Sequence, residues 1–212
     1  YKELKVCRPL LGLSGMKQPD LENFLHRPTR RFCDGGKCIQ LYKAYPHYKG
    51  SDLAEILFGH NREDLIGLGN ITSMLGYRAF YEGIYTLRTA SEKDGRYSAL
   101  LSLPVALPVP VSVETDFFSL EASENEARVT VPVANGKLKQ FYADYKNYDY
   151  IPAEDTAIPR AISQYMDKRL KKPAVPETCY TWFPCGDDFM KDHGRQLQYL
   201  RHTLPCMLSL LK

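Results

Sequence analysis

His60 and Asp64 stand four residues apart on the apolar stripe of a long amphipathic segment. On a helix that spacing brings two side chains out side by side, towards whatever the helix packs against. A carboxylate in such a place is costly unless a cation or a metal matches it. An imidazole beside a metal-held carboxylate is suited to take a proton from water. The same spacing also describes an ion pair on a helix surface at a kink, and spacing alone leaves both readings open.

The element that must position this pair opens at Ser51-Asp52, a capping dipeptide, with Glu55 placed to complement the helix dipole. Leu53, Leu57, His60, Asp64, Leu68, Ile71 and Leu75 follow in steps of three and four. Gly59, Gly67, Gly69 and Gly76 each weaken a helix interior by about 1 kcal/mol relative to Ala, so they predict another element lying close against it. Upstream, Lys17-Gln18-Pro19-Asp20 predicts a short helix carrying Leu21, Phe24 and Leu25, stopped at His26-Arg27-Pro28. Asp34-Gly35-Gly36 reads as a turn into a second helix through Cys38, Ile39, Tyr42 and Tyr45, ended by Pro46.

From Arg96 the period changes. Tyr97–Leu103, Val109–Val113, Phe117–Glu121 and Ala127–Val133 read as short strands, with Pro104, Pro108 and Pro110 restricting them to edges or bulges. Ala134-Asn135-Gly136 predicts a hairpin turn into Lys137–Tyr142. Pro152–Arg169 reads as a short helix opened by Glu154-Asp155-Thr156, and Lys168–Pro173 as a basic loop. Residues 187–211 read as a terminal helix through Phe189, Leu197, Leu200 and Leu204, broken at Pro205. The polar stretch Ser91–Gly95 is taken as a boundary. The chain therefore divides into 1–90, a β-rich unit 96–183 and a helical tail 184–212, an α+β protein.

With 44% hydrophobic and 25% charged residues among 212, wholesale disorder is excluded, and no apolar run is long enough to span a membrane. No secretory leader is evident and the first residue is Tyr1, which leads us to expect a cytoplasmic chain that is a portion of something longer. Net charge is only +3, but eleven Lys and Arg against six Asp and Glu in residues 1–62 give that end an excess of +5. Such an excess either holds phosphates or is simply a solvated surface.

Six cysteines are too few for a disulfide scaffold, and reduced thiols are expected. Cys33, Cys38, Cys179 and Cys185 admit a four-thiolate zinc site, though the gaps within each pair are wider than zinc knuckles use. Tyr142, Tyr145, Tyr148 and Tyr150 with Lys137, Lys139 and Lys146 read either as a base-stacking platform or as ordinary β-domain packing. His26, His47, His193 and His202 read as surface residues, and Trp182 as core.

Residues 55–68, Glu55-Ile-Leu-Phe-Gly-His60-Asn61-Arg62-Glu-Asp64-Leu-Ile-Gly-Leu68, resemble the last motif of the DEDD 3′–5′ exonucleases of the ribonuclease H-like superfamily. More narrowly, they look like the YprB-type domain, where a His-Asn-x-x-Asp-Leu run sits on the final helix. Leu10–Leu25 and Cys33–Tyr42 are similar to the stretch that leads into that helix, departing at Lys37, where Glu is usual. Tyr145–Ile158 looks like part of the extra domain that such proteins carry.

The resemblance covers about residues 1–180. It implies the carboxyl-terminal helical part of a ribonuclease H-like α/β domain followed by a small antiparallel β-rich domain. It further implies that Asp64 is the fourth metal-binding carboxylate, for Mg²⁺ or Mn²⁺, and that His60 is the general base. Asn61, Arg62 and Lys17 are expected to contact nucleic acid, DNA or RNA. Residues 1–50 hold no Asp-x-Glu on an apolar strand, and one acid cannot hold two ions about 3.5–4 Å apart. The chain alone is therefore expected to be inactive, to expose a surface meant for a missing sheet, and so to be prone to self-association. A non-catalytic nucleic-acid- or protein-binding module is the alternative.

Overall fold

The computed structural model describes residues 2–28, 30–32, 35–47 and 50–211; the turn acid Asp34, the thiol Cys33 and Lys49 fall outside them. A short 3-10 turn, Lys2–Cys7, precedes α1 (Gln18–Phe24), α2 (Gly35–Ala44) and α3 (Ser51–Ile71). The long helical stripe continues past α3 through a 3-10 turn, Thr72–Met74, into α4 (Leu75–Tyr81). Pro19 lies in the first turn of α1, and Asp20 accepts a hydrogen bond from the Lys17 amide at 2.8 Å. That helix stops ahead of Pro28, because His26 already takes the left-handed conformation at φ 53°.

The expected crowding around the glycines holds at three of four positions. A Cβ on Gly59 would overlap the Phe32 ring, and one on Gly67 would run into the Glu22 carboxylate. At Gly76 a Cβ would lie 2.7 Å from the Ala106 carbonyl oxygen, whereas Gly69 has open space around it. Backbone cannot yield as a flexible side chain does, so Gly76→Ala is expected to destabilise by about 1–3 kcal/mol despite its better helix propensity. A urea melt showing a stabilised Gly76→Ala variant would contradict the close α4 contact.

Eight strands follow: β1 (Thr86–Lys93), β2 (Arg96–Glu114), β3 (Ser119–Pro132), β4 (Lys137–Phe141), β5 (Tyr148–Ile151), β6 (Thr156–Pro159), β7 (Lys172–Pro173) and β8 (Tyr180–Pro184). They form antiparallel sheets ordered β1-β2-β3, β4-β8 and β6-β5-β7. With the helices, this makes the α+β class. Tyr97, Ala99, Leu101 and Leu103 alternate inward along β2, as period two requires.

Several boundaries differ from the sequence expectation, each for a tertiary reason. Tyr97–Leu103 and Val109–Val113 are the two ends of one 19-residue strand, and β3 likewise joins two expected pieces into 14 residues. The prolines are absorbed where the β2–β3 register shifts, between Ser102 and Val111. Ser91–Gly95, taken as a boundary, is the end of β1 and its turn into β2, with Asp94 at φ 53° and Gly95 at φ 70°. One cluster of buried side chains extends from Leu4 to Leu208.

Ala134–Lys137 does close a tight turn, with Asn135 and Gly136 both at positive φ. The strands it joins nevertheless enter different sheets, because β4 pairs with β8 rather than with β3. Glu154–Thr156 opens no helix. Asp155 sits at φ 49° in the β5–β6 turn; Arg160–Ser163 is α-helical (α5) and Lys168–Leu170 is a 3-10 turn. Buried Asp149 organises this region by accepting from Ser163 Oγ at 2.6 Å, Lys171 Nζ at 2.9 Å and Arg160 Nε at 3.2 Å.

The tail is two helices, α6 (Asp187–Lys191) and α7 (His193–Leu208), and α7 runs through Pro205 instead of breaking there. Burial of Leu204, Cys206, Met207 and Leu208 outweighs the one helical bond that proline removes. Trp182 is half-buried rather than fully core. His26, His47, His193 and His202 are exposed, as expected. Among the described residues no helix is long and apolar enough to cross a membrane.

Candidate functional site

The site forms where α1 and the segment after it lie across the middle of α3. Close approach is allowed by Gly67, over which Glu22 of α1 is laid, and by Gly59, against which Phe32 packs. Glu63 holds the connecting strap by accepting from the Arg31 and Phe32 amides at 2.9 and 3.2 Å.

His60 and Asp64 emerge side by side as their spacing requires, with His60 Nε2 at 3.3 Å from Asp64 Oδ2. The group that matches Asp64 is Arg30, whose Nη1 pairs with Asp64 Oδ1. The same guanidinium donates from Nε and Nη2 to the two oxygens of Glu22, at 2.9 and 2.8 Å. This fork-on-fork geometry is the strongest form of ion pair available to side chains. Gln18 Nε2 completes the set, donating to Glu22 Oε1 at 2.9 Å and to the Asp64 carbonyl at 3.0 Å.

Glu22 is 7% exposed. The Arg30 hydrogen bonds, opposed by burial and assisted by Gln18, hold its carboxyl below the ordinary value of 4.5. Arg30 is held correspondingly more firmly protonated by Glu22.

Two clefts meet at His60. One, of about 590 Å³, contains Glu22, Arg27, Arg30, Phe32 and Asp64; the other, of about 560 Å³, lies between α2 and α3 and is walled by Cys38, Ile39, Tyr42, Leu57, Phe58 and Asn61. The imidazole turns Nε2 to Asp64, while Nδ1 is buried with no hydrogen-bond partner among the described residues. In this orientation the nitrogen that is free of Asp64 is shielded from water. Around the second cleft the apolar surface stays open: Ile39 is 60%, Tyr42 71% and Phe58 73% exposed, and Leu65 and Ile66 further along α3 are also exposed.

The donors do not fit a divalent-metal site. Both Glu22 oxygens and one Asp64 oxygen are engaged by Arg30, and the other Asp64 oxygen faces His60. Among the described residues no three His, Cys, Asp or Glu side chains come close enough to hold an ion. The one Asp-x-Glu of residues 1–50, Asp20-Leu21-Glu22, lies on helix α1 rather than on a strand, and its acids serve the helix start and Arg30.

The four-thiolate arrangement is likewise not assembled. Cys38 lies on the α2–α3 cleft, Cys179 is buried with Ala157 and Ala174, and Cys185 belongs to the main core. Cys33 lies outside the described residues. Burial pushes the Cys179 thiol up to about 11, that of an inert structural cysteine.

The expected nucleic-acid contacts are dispersed. Lys17 is exposed at the start of α1, Asn61 lines the α2–α3 cleft and Arg62 is exposed on α3. None of them joins the Glu22–Arg30–Asp64 cluster. Sequence reasoning missed Glu22 and Arg30 as members of that cluster. The available signal was an acid placed directly beside Leu21 on the apolar face of α1. Among the tyrosines, Tyr142 and Tyr148 stack at 5.3 Å, and all four of the run pack on the small cluster of Ala157, Ala174 and Cys179.

Compared with protein families, with curated proteins and with solved structures, the chain matches none. It is an α+β protein with a carboxylate–guanidinium–carboxylate clamp beside a helix-borne His–Asp pair.

Proposed function

We propose that the chain supplies the His60–Asp64 helix to a YprB-type, ribonuclease H-like 3′–5′ exonuclease acting on DNA or RNA, and does not hydrolyse phosphodiesters by itself. The observation that carries this reading is the 3.3 Å His60–Asp64 pair on the wall of a cleft that also holds Arg27 and Arg30. In a complete domain Mg²⁺ or Mn²⁺ would activate the water; the donors among the described residues of this chain do not by themselves form that site. What the chain contributes is an imidazole, a carboxylate that orients it and the exposed guanidinium of Arg27, suited to a phosphate backbone; a turn of the His60 ring is needed before it can take a proton from water. The open apolar surface along α2 and α3 is the kind that a further sheet, or a second copy of the chain, covers.

The alternative, a non-catalytic nucleic-acid- or protein-binding module, is favoured by Arg30, which already pairs with both acids and so occupies the oxygens a metal would need. Nuclease assays of the full-length protein containing this chain separate the two. On the enzymatic reading, His60→Ala and Asp64→Ala each lower metal-dependent cleavage of a labelled strand by about a hundredfold or more. Undiminished cleavage by Asp64→Ala would sink that reading, and measurable turnover by residues 1–212 alone would contradict their proposed inactivity.

A further inference from the structure

The β4–β8 ribbon carries a second cluster of charge and aromatic rings that shares no residue with the His60–Asp64 clefts. Lys139 and Trp182 are cross-strand partners, so their side chains leave the ribbon together. Lys139 Nζ lies 3.9 Å from the centroid of the Tyr180 ring, 5.4 Å from that of Trp182 and 5.8 Å from that of Phe117. Asp155, the acid whose charge acts on this ammonium, is engaged by the hydroxyls of Tyr150 and Tyr180, both donating to its Oδ1.

Among the described residues Lys139 Nζ therefore has neither an ion-pair partner nor a hydrogen-bond acceptor. Burial lowers its pKa, opposed in part by the charge of Asp155. Beside it, exposed Lys172 places its Nζ 5.5 Å over the Tyr150 ring and also has no acidic partner among the described residues. Tyr150, Tyr180 and Trp182 run on from one another, with ring centroids 6.2 and 5.8 Å apart.

We propose that this face binds single-stranded nucleic acid, with Lys139 and Lys172 receiving phosphates and the half-buried rings of Trp182 and Tyr150 stacking bases. Two ammonium groups with one acid near them, itself engaged by two tyrosine hydroxyls, favour a polyanion, and π-faces next to them call for a ligand that carries planar groups between its charges. An acidic peptide satisfies the first demand and not the second. The inference does not rest on the nuclease reading.

Trp182 is the only tryptophan in the chain, so its fluorescence reports on the site directly. Titration of residues 1–212 with an oligothymidylate of about eight nucleotides, within the span of one such binding face, is expected to quench Trp182 saturably. The apparent affinity should fall as salt rises. Lys139→Gln and Lys172→Gln should each weaken binding roughly tenfold, while Lys93→Gln, which removes the same charge at the β1–β2 hairpin, changes it less than about twofold. Lys172 is exposed, so its replacement tests the site without disturbing folding.

Binding is read without divalent metal and without cleavage, which separates failure of this inference from failure of the nuclease reading. Absence of quenching overturns the proposal. So does an equal loss with Lys93→Gln and Lys172→Gln, or quenching by polyglutamate as strong as by the oligonucleotide.

Discussion

Arg30→Met is expected to destabilise the protein by about 3 kcal/mol at neutral pH, because it strands a buried carboxylate rather than merely deleting a contact. Glu22 keeps Gln18 as a donor but loses both guanidinium bonds. Asp64 contributes less, since its side chain is 41% exposed and water replaces part of what it loses. Arg30→Lys should fall between the two, keeping the charge but not the fork.

The pH dependence has a definite sign. Arg30 holds the folded-state pKa of Glu22 below the ordinary 4.5, so its contribution is complete above that value and is lost as pH falls through the lowered one. The gap between parent and Arg30→Met should therefore close in acid. Urea melts at pH 7 and below pH 4 measure it; an equal gap at both would show that packing, not charge, accounts for the loss.

Tyr97→Ala is expected to cost about 3–5 kcal/mol, the range for emptying a fully buried aromatic site. Tyr97 joins β2 to the last two helices. Its ring lies 5.4 Å from that of Phe189 and 6.3 Å from that of Tyr199, and its hydroxyl donates to Gln196 Oε1 at 3.3 Å. Gln196 in turn ties α7 to α6 by donating to the carbonyls of Phe189 and Met190, both at 2.8 Å. Because that network spans sheet and tail, helical and sheet signals should be lost in one shared transition, displaced to lower urea. Separate melting of the tail at an unshifted midpoint would show that residues 187–208 are merely appended.

Local signals in this chain specify structure where the cause is itself local. Pro19 and Asp20 start α1, alternation marks β2, and four-residue spacing sets His60 beside Asp64; α3 does open at Ser51, but Gly50 is its cap and neither Ser51 nor Asp52 caps it with a side chain. Backbone geometry and side-chain direction dictate all of these within a few residues. Where the structure departs from the local signal, contact between distant segments is the cause. The polar run Ser91–Glu92–Lys93 becomes strand because β2 supplies its hydrogen bonds. Pro104, Pro108 and Pro110 fail to divide β2 because β3 shifts register around them. Pro205 fails to end α7 because the residues after it are buried.

The candidate site divides along the same line. Sequence by itself determined that an imidazole and a carboxylate would share one helix face, since four residues of helix allow nothing else. Only the tertiary structure decided what that carboxylate meets. Arg30, thirty-four residues away, reaches Asp64 because Gly67 lets Glu22 lie against α3 and Glu22 holds the guanidinium in place. No periodicity encodes that meeting: the partner of a charge is chosen by which segments pack together, and packing depends on residues far apart in the chain.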